Sequence, residues 1–79
     1  MWTVIGRPGC IYCTKACTLL KETGHEYRYI DITSEANVYY EIYMQQAYRL
    51  NTVPQIWNDK DKHIGGYKEL MQHLNQGKL

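Results

Sequence analysis

The chain has 79 residues and a formal net charge of +1, which predicts one domain over residues 1–79 and no second one. The near-neutral charge, with no basic run among aromatics, argues against nucleic acid as a partner. No charged leader and no run of roughly 18 apolar residues is present, so we expect no membrane span and a place in the cytoplasm. Three cysteines are too few for a disulfide framework, and a reducing compartment fits them better.

The first half of the chain predicts a strand, a helix and a second strand. Residues 2–5 are an apolar run that predicts a short buried strand, and the glycines and proline of residues 6–9 predict a turn after it. Apolar and small side chains then recur every three or four places from Tyr12 to Glu22, which predicts a helix that Gly24 ends. Residues 27–32 predict the second strand, so this half is a β-α-β unit.

The second half predicts a helix, a hairpin and a last helix. Ser34 is the predicted N-cap of a tyrosine-rich helix that runs to about Tyr48. Residues 55–57 and 63–64 flank a polar turn and predict a hairpin. An apolar stripe beginning at Tyr67 predicts a last helix that ends near Gly77. The predicted fold class is therefore α/β, in the order β-α-β-α-β-β-α.

The chemistry-bearing motif is Cys10-Ile11-Tyr12-Cys13, a Cys-x-x-Cys that follows the first strand and opens the first helix. Helix N-termini offer unpaired N–H groups and a partial positive charge, and both favour a thiolate over a thiol. Cys10 would lie at the cap as the attacking sulfur, and Cys13 would lie one turn inside as the resolving thiol. The predicted chemistry is thiol–disulfide exchange through a mixed disulfide.

Cysteine, histidine and tyrosine also occur in metal sites and in packed cores. A structural zinc site usually takes a second Cys or His pair, and no such pair is present, because the three histidines are scattered without ligand spacing. We expect no metal, and we interpret the histidines as surface residues. Cys17 is interpreted as a packed, apolar-like side chain. The tyrosines between residues 39 and 48 are predicted to pack against the sheet, with some of them exposed.

Three segments of the chain resemble those of dithiol glutaredoxins, a family of the thioredoxin-fold superfamily with small bacterial and phage members. Residues 10–13, with Arg7 three places before them, resemble the active-site loop of that family. Residues 52–54 resemble its Thr-Val-Pro segment, and residues 65–67 resemble its Gly-Gly-aromatic turn. The resemblance covers nearly the whole chain and implies a thioredoxin-like fold, with a mixed four-stranded sheet flanked by helices.

The resemblance implies a glutathione-dependent thiol–disulfide oxidoreductase that reduces protein disulfides and glutathione-mixed disulfides. It implies that Pro54 is cis and faces the two thiols, and that an extended glutathione pairs with the Val53 backbone. Ribonucleotide reductase is a candidate electron acceptor, and the protein is expected to be a monomer. The catalytic residues would be Cys10 and Cys13, and the residues implied to contact glutathione are Arg7, Tyr12, Thr52, Val53, Pro54, Gly66 and Tyr67.

Two positions depart from the family pattern. Ile11 stands where proline is usual, which leaves an extra N–H near Cys10 and affects the redox potential. Lys68 follows the Gly-Gly-aromatic turn, where an acidic residue commonly meets the glutathione ammonium, so either Glu69 substitutes or that end binds more weakly or differently. Two alternatives stay open: a thioredoxin-like donor reduced by a flavoprotein reductase, and a glutathione-ligated iron–sulfur binding module.

Overall fold

A computed structural model of the chain describes residues 1–75. Within that range the regular elements follow the predicted order: β1 (Trp2–Gly6), α1 (Ile11–Glu22), β2 (Tyr27–Asp31), α2 (Val38–Ala47), β3 (Gln55–Trp57), β4 (His63–Gly65) and α3 (Tyr67–Asn75). The order β-α-β-α-β-β-α is confirmed. The predicted end of the last helix near Gly77 lies outside the described residues.

The four strands form one mixed sheet in the order β2-β1-β3-β4. β1 pairs parallel with β2 and antiparallel with β3, and β3 pairs antiparallel with β4. β1 is buried along its whole length because it has a strand on each side and helices over both faces. This central position explains why its sequence is a continuous apolar run instead of an alternating one.

The core lies in two clusters, one on each face of the sheet. Side chains alternate along β1, so Val4 joins α1 and α3 while Ile5 joins α2. The larger cluster consists of Trp2, Val4, Ala16, Leu20, Ile56 and Leu70. The smaller cluster consists of Ile5, Ile30, Met44 and Trp57.

The first helix has the termini that its sequence predicts. Cys10 is the N-cap in an extended conformation, and its sulfur accepts a hydrogen bond from the backbone N–H of Cys13. Gly24 follows the C-cap with φ +78°, a left-handed conformation that glycine adopts without steric cost. The start of α1, and with it the position of Cys10, is therefore fixed by local chain chemistry.

The predicted start of the second helix is wrong by several residues. A 3₁₀ turn spans Glu35–Asn37 and α2 begins only at Val38, while the Ser34 side chain makes no capping hydrogen bond. Asp31 stabilises this turn instead, because its Oδ1 accepts from the N–H of Thr33 at 2.8 Å and its backbone oxygen accepts from the Asn37 side chain at 3.0 Å. An aspartate four residues before the 3₁₀ turn thus accepts the kind of local hydrogen bonds that were expected of Ser34.

The tyrosines of α2 are more exposed than we predicted. Tyr39 is 79% exposed and Tyr43 is 53% exposed. Met44 is the α2 residue in the core cluster of the sheet face that α2 covers. The aromatic rings therefore lie mainly at the surface, and a single methionine anchors the helix.

Candidate active site

The two cysteines of the motif differ sharply in accessibility. Cys10 and Cys13 are disulfide-bonded, as their spacing predicts. Cys10 is half-buried, whereas Cys13 is 2% exposed and packs inside the first turn of α1. Cys10 therefore carries the sulfur that an incoming disulfide can reach. Cys13, in the first turn of α1, is placed to attack a mixed disulfide formed on Cys10.

The surroundings of Cys10 favour negative charge on its sulfur. The N–H of Cys13 lies 3.2 Å from the Cys10 sulfur, and the first turn of α1 contains no acidic residue. The loop before it turns at Gly9, whose φ of +75° explains why glycine stands there. A reduced Cys10 would face backbone N–H groups and the positive end of a helix dipole.

The segment before β3 lies beside the attacking sulfur. The peptide bond between Val53 and Pro54 is cis, as the resemblance implies. The Val53 carbonyl oxygen is 3.9 Å from the Cys10 sulfur. Among residues 1–75 the N–H of Val53 has no hydrogen-bond partner. A half-buried peptide group is thus available next to the thiols for an extended peptide to pair with.

A groove of about 590 Å³ extends from this segment to the start of α3. The rings of Tyr12 and Tyr67 face each other across it with centroids 5.8 Å apart, and the Lys15 ammonium lies 5.3 Å from the centroid of the Tyr12 ring. Six of the seven residues predicted to contact glutathione line the groove: Tyr12, Thr52, Val53, Pro54, Gly66 and Tyr67.

Arg7, the seventh predicted residue, lines a different hollow. Its exposed side chain borders a depression of about 380 Å³ that also reaches Cys13, Cys17 and Tyr29. Arg7 is therefore not among the residues that line the groove.

The N-terminus of α3 forms one end of the groove. Glu69 caps it, since its carboxylate accepts the N–H of Gly66 at 2.8 Å, which is the reciprocal half of a capping box. The N–H groups of Tyr67 and Lys68 belong to the first turn and have no acceptor within the helix. Lys68 is exposed and lines the groove. The N-terminus of α3 can therefore bind an anion, and the cationic side chain of Lys68 lines the same end of the groove.

Cys17 packs at the edge of the larger core cluster. Burial raises the pKa of the Cys17 thiol, and a hydrogen bond from the Tyr27 hydroxyl lowers it by less. Cys17 therefore carries less thiolate at neutral pH than an exposed cysteine does.

Two polar residues at the back of the groove were missed in the sequence. Gln55 is 5% exposed and bonds both Thr52 and His63. The histidines were predicted to be surface residues, but His63 is half-buried. A weak signal was present, since a glutamine inside an apolar strand needs partners for its amide.

The part of the chain that the structure describes contains neither a group of metal ligands nor a membrane-spanning helix. Across residues 1–75 no three His, Cys, Asp or Glu side chains are grouped so that they could hold a metal ion. In the same part of the chain, each helix falls short of the length and apolar character needed to cross a membrane.

Comparison with known proteins agrees with this geometry. The family model described as Glutaredoxin matches residues 2–64. Glutaredoxin 1 of Salmonella typhimurium is 44% identical over 72 residues, which cover 84% of this chain and 82% of that protein. The crystal structure of a buckwheat glutaredoxin–glutathione complex superposes with a TM-score of 0.84 at 26% identity, covering 99% of this chain and 71% of that one.

A second solved structure resembles the chain over nearly its whole length. Reduced Escherichia coli glutaredoxin is 30% identical with a TM-score of 0.74, and the match covers 98% of this chain and 95% of that one. These matches confirm the thioredoxin-like fold. With the match over residues 2–64, they show that the chain belongs to the glutaredoxin family, whose members are thiol–disulfide oxidoreductases.

Proposed function

We propose that this oxidoreductase is a dithiol glutaredoxin that uses glutathione as its reductant and acts on both protein disulfides and glutathione-mixed disulfides. The observation that carries the proposal is the position of the half-buried Cys10 sulfur, 3.9 Å from the Val53 carbonyl oxygen at the edge of a tripeptide-sized groove. A peptide lying along Val53 would have its own sulfur within reach of Cys10.

The reaction starts with the Cys10 thiolate. It attacks one sulfur of the substrate disulfide, the substrate S–S bond breaks, and the other sulfur leaves as a thiolate that takes a proton. Cys10 is then joined to substrate or glutathione in a mixed disulfide. The Cys13 thiolate attacks the Cys10 sulfur of that bond, forms the Cys10–Cys13 disulfide and releases the bound group as a thiol. Where the bound group is glutathione, the thiolate of a second glutathione can instead attack the glutathione sulfur, which forms glutathione disulfide and releases Cys10 as a thiolate. Glutathione thiols finally reduce the Cys10–Cys13 disulfide and are oxidised in turn.

The groove suggests how glutathione lies. The N–H of Val53 would pair with the cysteinyl backbone, while Thr52 and Pro54 line the groove beside it. Tyr12 would cover the tripeptide from the α1 side. The N–H groups of Tyr67 and Lys68, in the first turn of α3, would receive the γ-glutamyl carboxylate. The contact between Arg7 and glutathione stays a prediction, because Arg7 borders a separate hollow.

The γ-glutamyl ammonium is proposed to bind differently from the family pattern. Glu69 already accepts the Gly66 N–H at 2.8 Å, which holds its carboxylate against the backbone. Lys68 is exposed at the groove and would repel an ammonium. We therefore expect the carboxylate of this end to carry more of the binding than the ammonium.

The proposal extends to the substrates, the oligomeric state and the location of the protein. Disulfide-bearing proteins are the substrates, with ribonucleotide reductase as a candidate, and the chain is taken to act as a single-domain monomer. A cytoplasmic location stays a prediction from the cysteine content.

The test is to reduce the oxidised protein either with glutathione or with a thioredoxin reductase and NADPH, following free thiols. We expect glutathione to reduce the Cys10–Cys13 disulfide and the reductase to leave it largely oxidised. The opposite pattern would contradict the proposal and support a thioredoxin-like donor. A brown protein with visible absorbance after anaerobic purification would instead support the iron–sulfur binding module.

A further inference from the structure

Gln55 is a buried polar side chain whose whole amide is engaged. It is 5% exposed, and burial of an amide is costly unless it forms hydrogen bonds. Its Nε2 donates to the Thr52 carbonyl oxygen at 3.0 Å and lies 3.2 Å from the Thr52 hydroxyl. Its Oε1 lies 2.8 Å from Nε2 of His63. The side chain thus joins the segment before β3 to strand β4.

The direction of these bonds follows from the partners. The Thr52 carbonyl can only accept, so the Gln55 NH₂ group must face it, and the amide oxygen must face His63. An amide oxygen also only accepts, and therefore His63 must carry a proton on Nε2. The reversed amide would set two acceptors against each other at Thr52. The bonds thus run from His63 to Gln55 and from Gln55 to Thr52.

The ring of His63, which donates to Gln55, is held in place by packing against two other rings. The His63 ring centroid is 4.9 Å from that of Trp57 and 5.3 Å from that of Tyr48. His63 pairs with Trp57 across the hairpin, and Gln55 lies two residues earlier on the same face of β3. His63 is therefore a fixed donor, and it can orient the Gln55 amide.

Thr52 has few other constraints. It is exposed, lies between α2 and β3, and belongs to neither element. Among residues 1–75 its backbone carbonyl has Gln55 as its hydrogen-bond partner. The hydrogen bonds from His63 to Gln55 and from Gln55 to Thr52 form a tether for this loop. Without the tether the loop would sample more conformations and would lose more entropy when a ligand orders it.

We propose that Gln55 and His63 are positioning residues that hold the Thr52-Val53 segment in the conformation that pairs with a peptide substrate beside Cys10. The inference rests on the proposed function, in which this segment receives the glutathione backbone. Both residues line the back of the groove, but the role proposed for them is to position Thr52 and Val53 through hydrogen bonds and not to contact the substrate. Loss of the tether should therefore weaken binding and leave the reactivity of the Cys10 thiolate unchanged.

The experiment compares two substitutions of His63. His63→Phe keeps a ring between Trp57 and Tyr48 but removes the donor, whereas His63→Gln keeps an N–H donor. For a glutathionylated peptide we expect His63→Phe to raise KM about tenfold with kcat nearly unchanged, and His63→Gln to remain close to wild type. The alkylation rate of reduced Cys10 by iodoacetamide should be the same in all three proteins.

A spectroscopic measurement tests the tether without turnover. In ¹⁵N NMR of the wild type we expect a His63 ring protonated on Nε2 and a Gln55 side-chain amide protected from solvent exchange. The protection should persist in His63→Gln and disappear in His63→Phe. If His63→Phe does not fold, Gln55→Met removes the same bonds with a side chain of similar length, and it should raise KM by the same factor.

The outcomes separate this inference from the proposed function. A His63→Phe protein with wild-type KM and a protected Gln55 amide would overturn the tether. An equal rise in KM in His63→Phe and in His63→Gln would also overturn the tether, because the presence of a hydrogen-bond donor at position 63 would then make no difference. A wild-type protein that does not turn over the glutathionylated peptide, but keeps the protected amide, would contradict the proposed function and not the hydrogen-bond network.

Discussion

The sulfur of Cys10 lies 3.9 Å from the carbonyl oxygen of Val53, although the two residues are 43 positions apart in the chain. One residue is an N-cap on α1, and the other precedes β3, which pairs with β1 at the centre of the sheet. Their contact therefore depends on the fold and not on a local motif. This contact places the Cys10 sulfur, which performs thiol–disulfide exchange, next to the Val53 peptide group, which is proposed to orient the substrate.

Cys17 should react slowly with alkylating reagents in the folded, reduced protein. Burial raises the pKa of its thiol, so less thiolate is present at pH 7, and about tenfold is lost for each pKa unit. Iodoacetamide labelling followed by peptide mass spectrometry should find Cys10 modified well before Cys17. Removal of the Tyr27 hydroxyl in Tyr27→Phe should slow Cys17 further. Equal labelling of Cys10 and Cys17 would contradict this prediction.

Gly6→Ala should destabilise the protein by about 1–3 kcal/mol, the usual cost of overpacking. A Cβ at this position would lie 2.7 Å from the Tyr29 hydroxyl oxygen and 2.8 Å from the Cys13 sulfur. Urea unfolding of the oxidised proteins measures the change. In a Tyr29→Ala background the same substitution should cost less, because part of the clash is gone. A Gly6→Ala protein as stable as wild type would show that the close contacts at Gly6 relax freely.

His63 should make the protein less stable as the pH falls. Burial lowers the pKa of its imidazole, and Glu69 raises it by less, so the folded pKa lies below the ordinary value of ~6.5. At acidic pH the unfolded chain therefore binds a proton at His63 more readily than the folded chain does. The contribution of neutral His63 to the free energy of unfolding is complete above a pH of ~6.5, and it is lost as the pH falls through the folded pKa.

Urea unfolding at pH 7 and pH 5 tests this dependence. The free energy of unfolding should fall more between these values in wild type than in His63→Gln, which keeps the hydrogen-bond donor but does not titrate. The other histidines and the carboxylates are common to both proteins, so the comparison isolates His63. An equal fall in the two proteins would rule out the proposed contribution.

Lys68→Asp should tighten the binding of glutathione by about two- to fivefold, the range expected for an exposed ion pair. The substitution replaces an exposed cation at the groove with an anion that can meet the γ-glutamyl ammonium. Lys68→Gln is the matched control, and it should gain less because it only removes repulsion. Calorimetric titration measures both, and no gain in Lys68→Asp would count against the proposed arrangement.

Local sequence signals predicted the parts of the site that depend on nearby residues. Cys10 was recognised as an N-cap because an apolar strand, a Pro-Gly turn and a helical pattern surround it. The same preference wrongly predicts Ser34 as the side-chain cap of α2, since an N-cap hydrogen bond competes with other local hydrogen bonds. Asp31 accepts such a bond from the N–H of Thr33, and α2 begins only at Val38.

Features that depend on strand register could not be read from the sequence. The bond from His63 to Gln55 needs a bulge at Ile56 and Trp57 that sets β4 against β3, and no turn signal specifies it. The hollow that Arg7 borders depends in the same way on how the loop of residues 7–9 lies against β2. The resemblance indicated which residues belong to the groove but not how its back wall is held.

The central claim is that Cys10 attacks and Cys13 resolves, and turnover of a glutathionylated peptide in Cys10→Ser and Cys13→Ser tests it most directly. We expect Cys10→Ser to be inactive, because it removes the one half-buried sulfur of the pair. Cys13→Ser should still remove glutathione from the peptide, since a second glutathione can resolve the mixed disulfide. Turnover that survives Cys10→Ser would contradict the account.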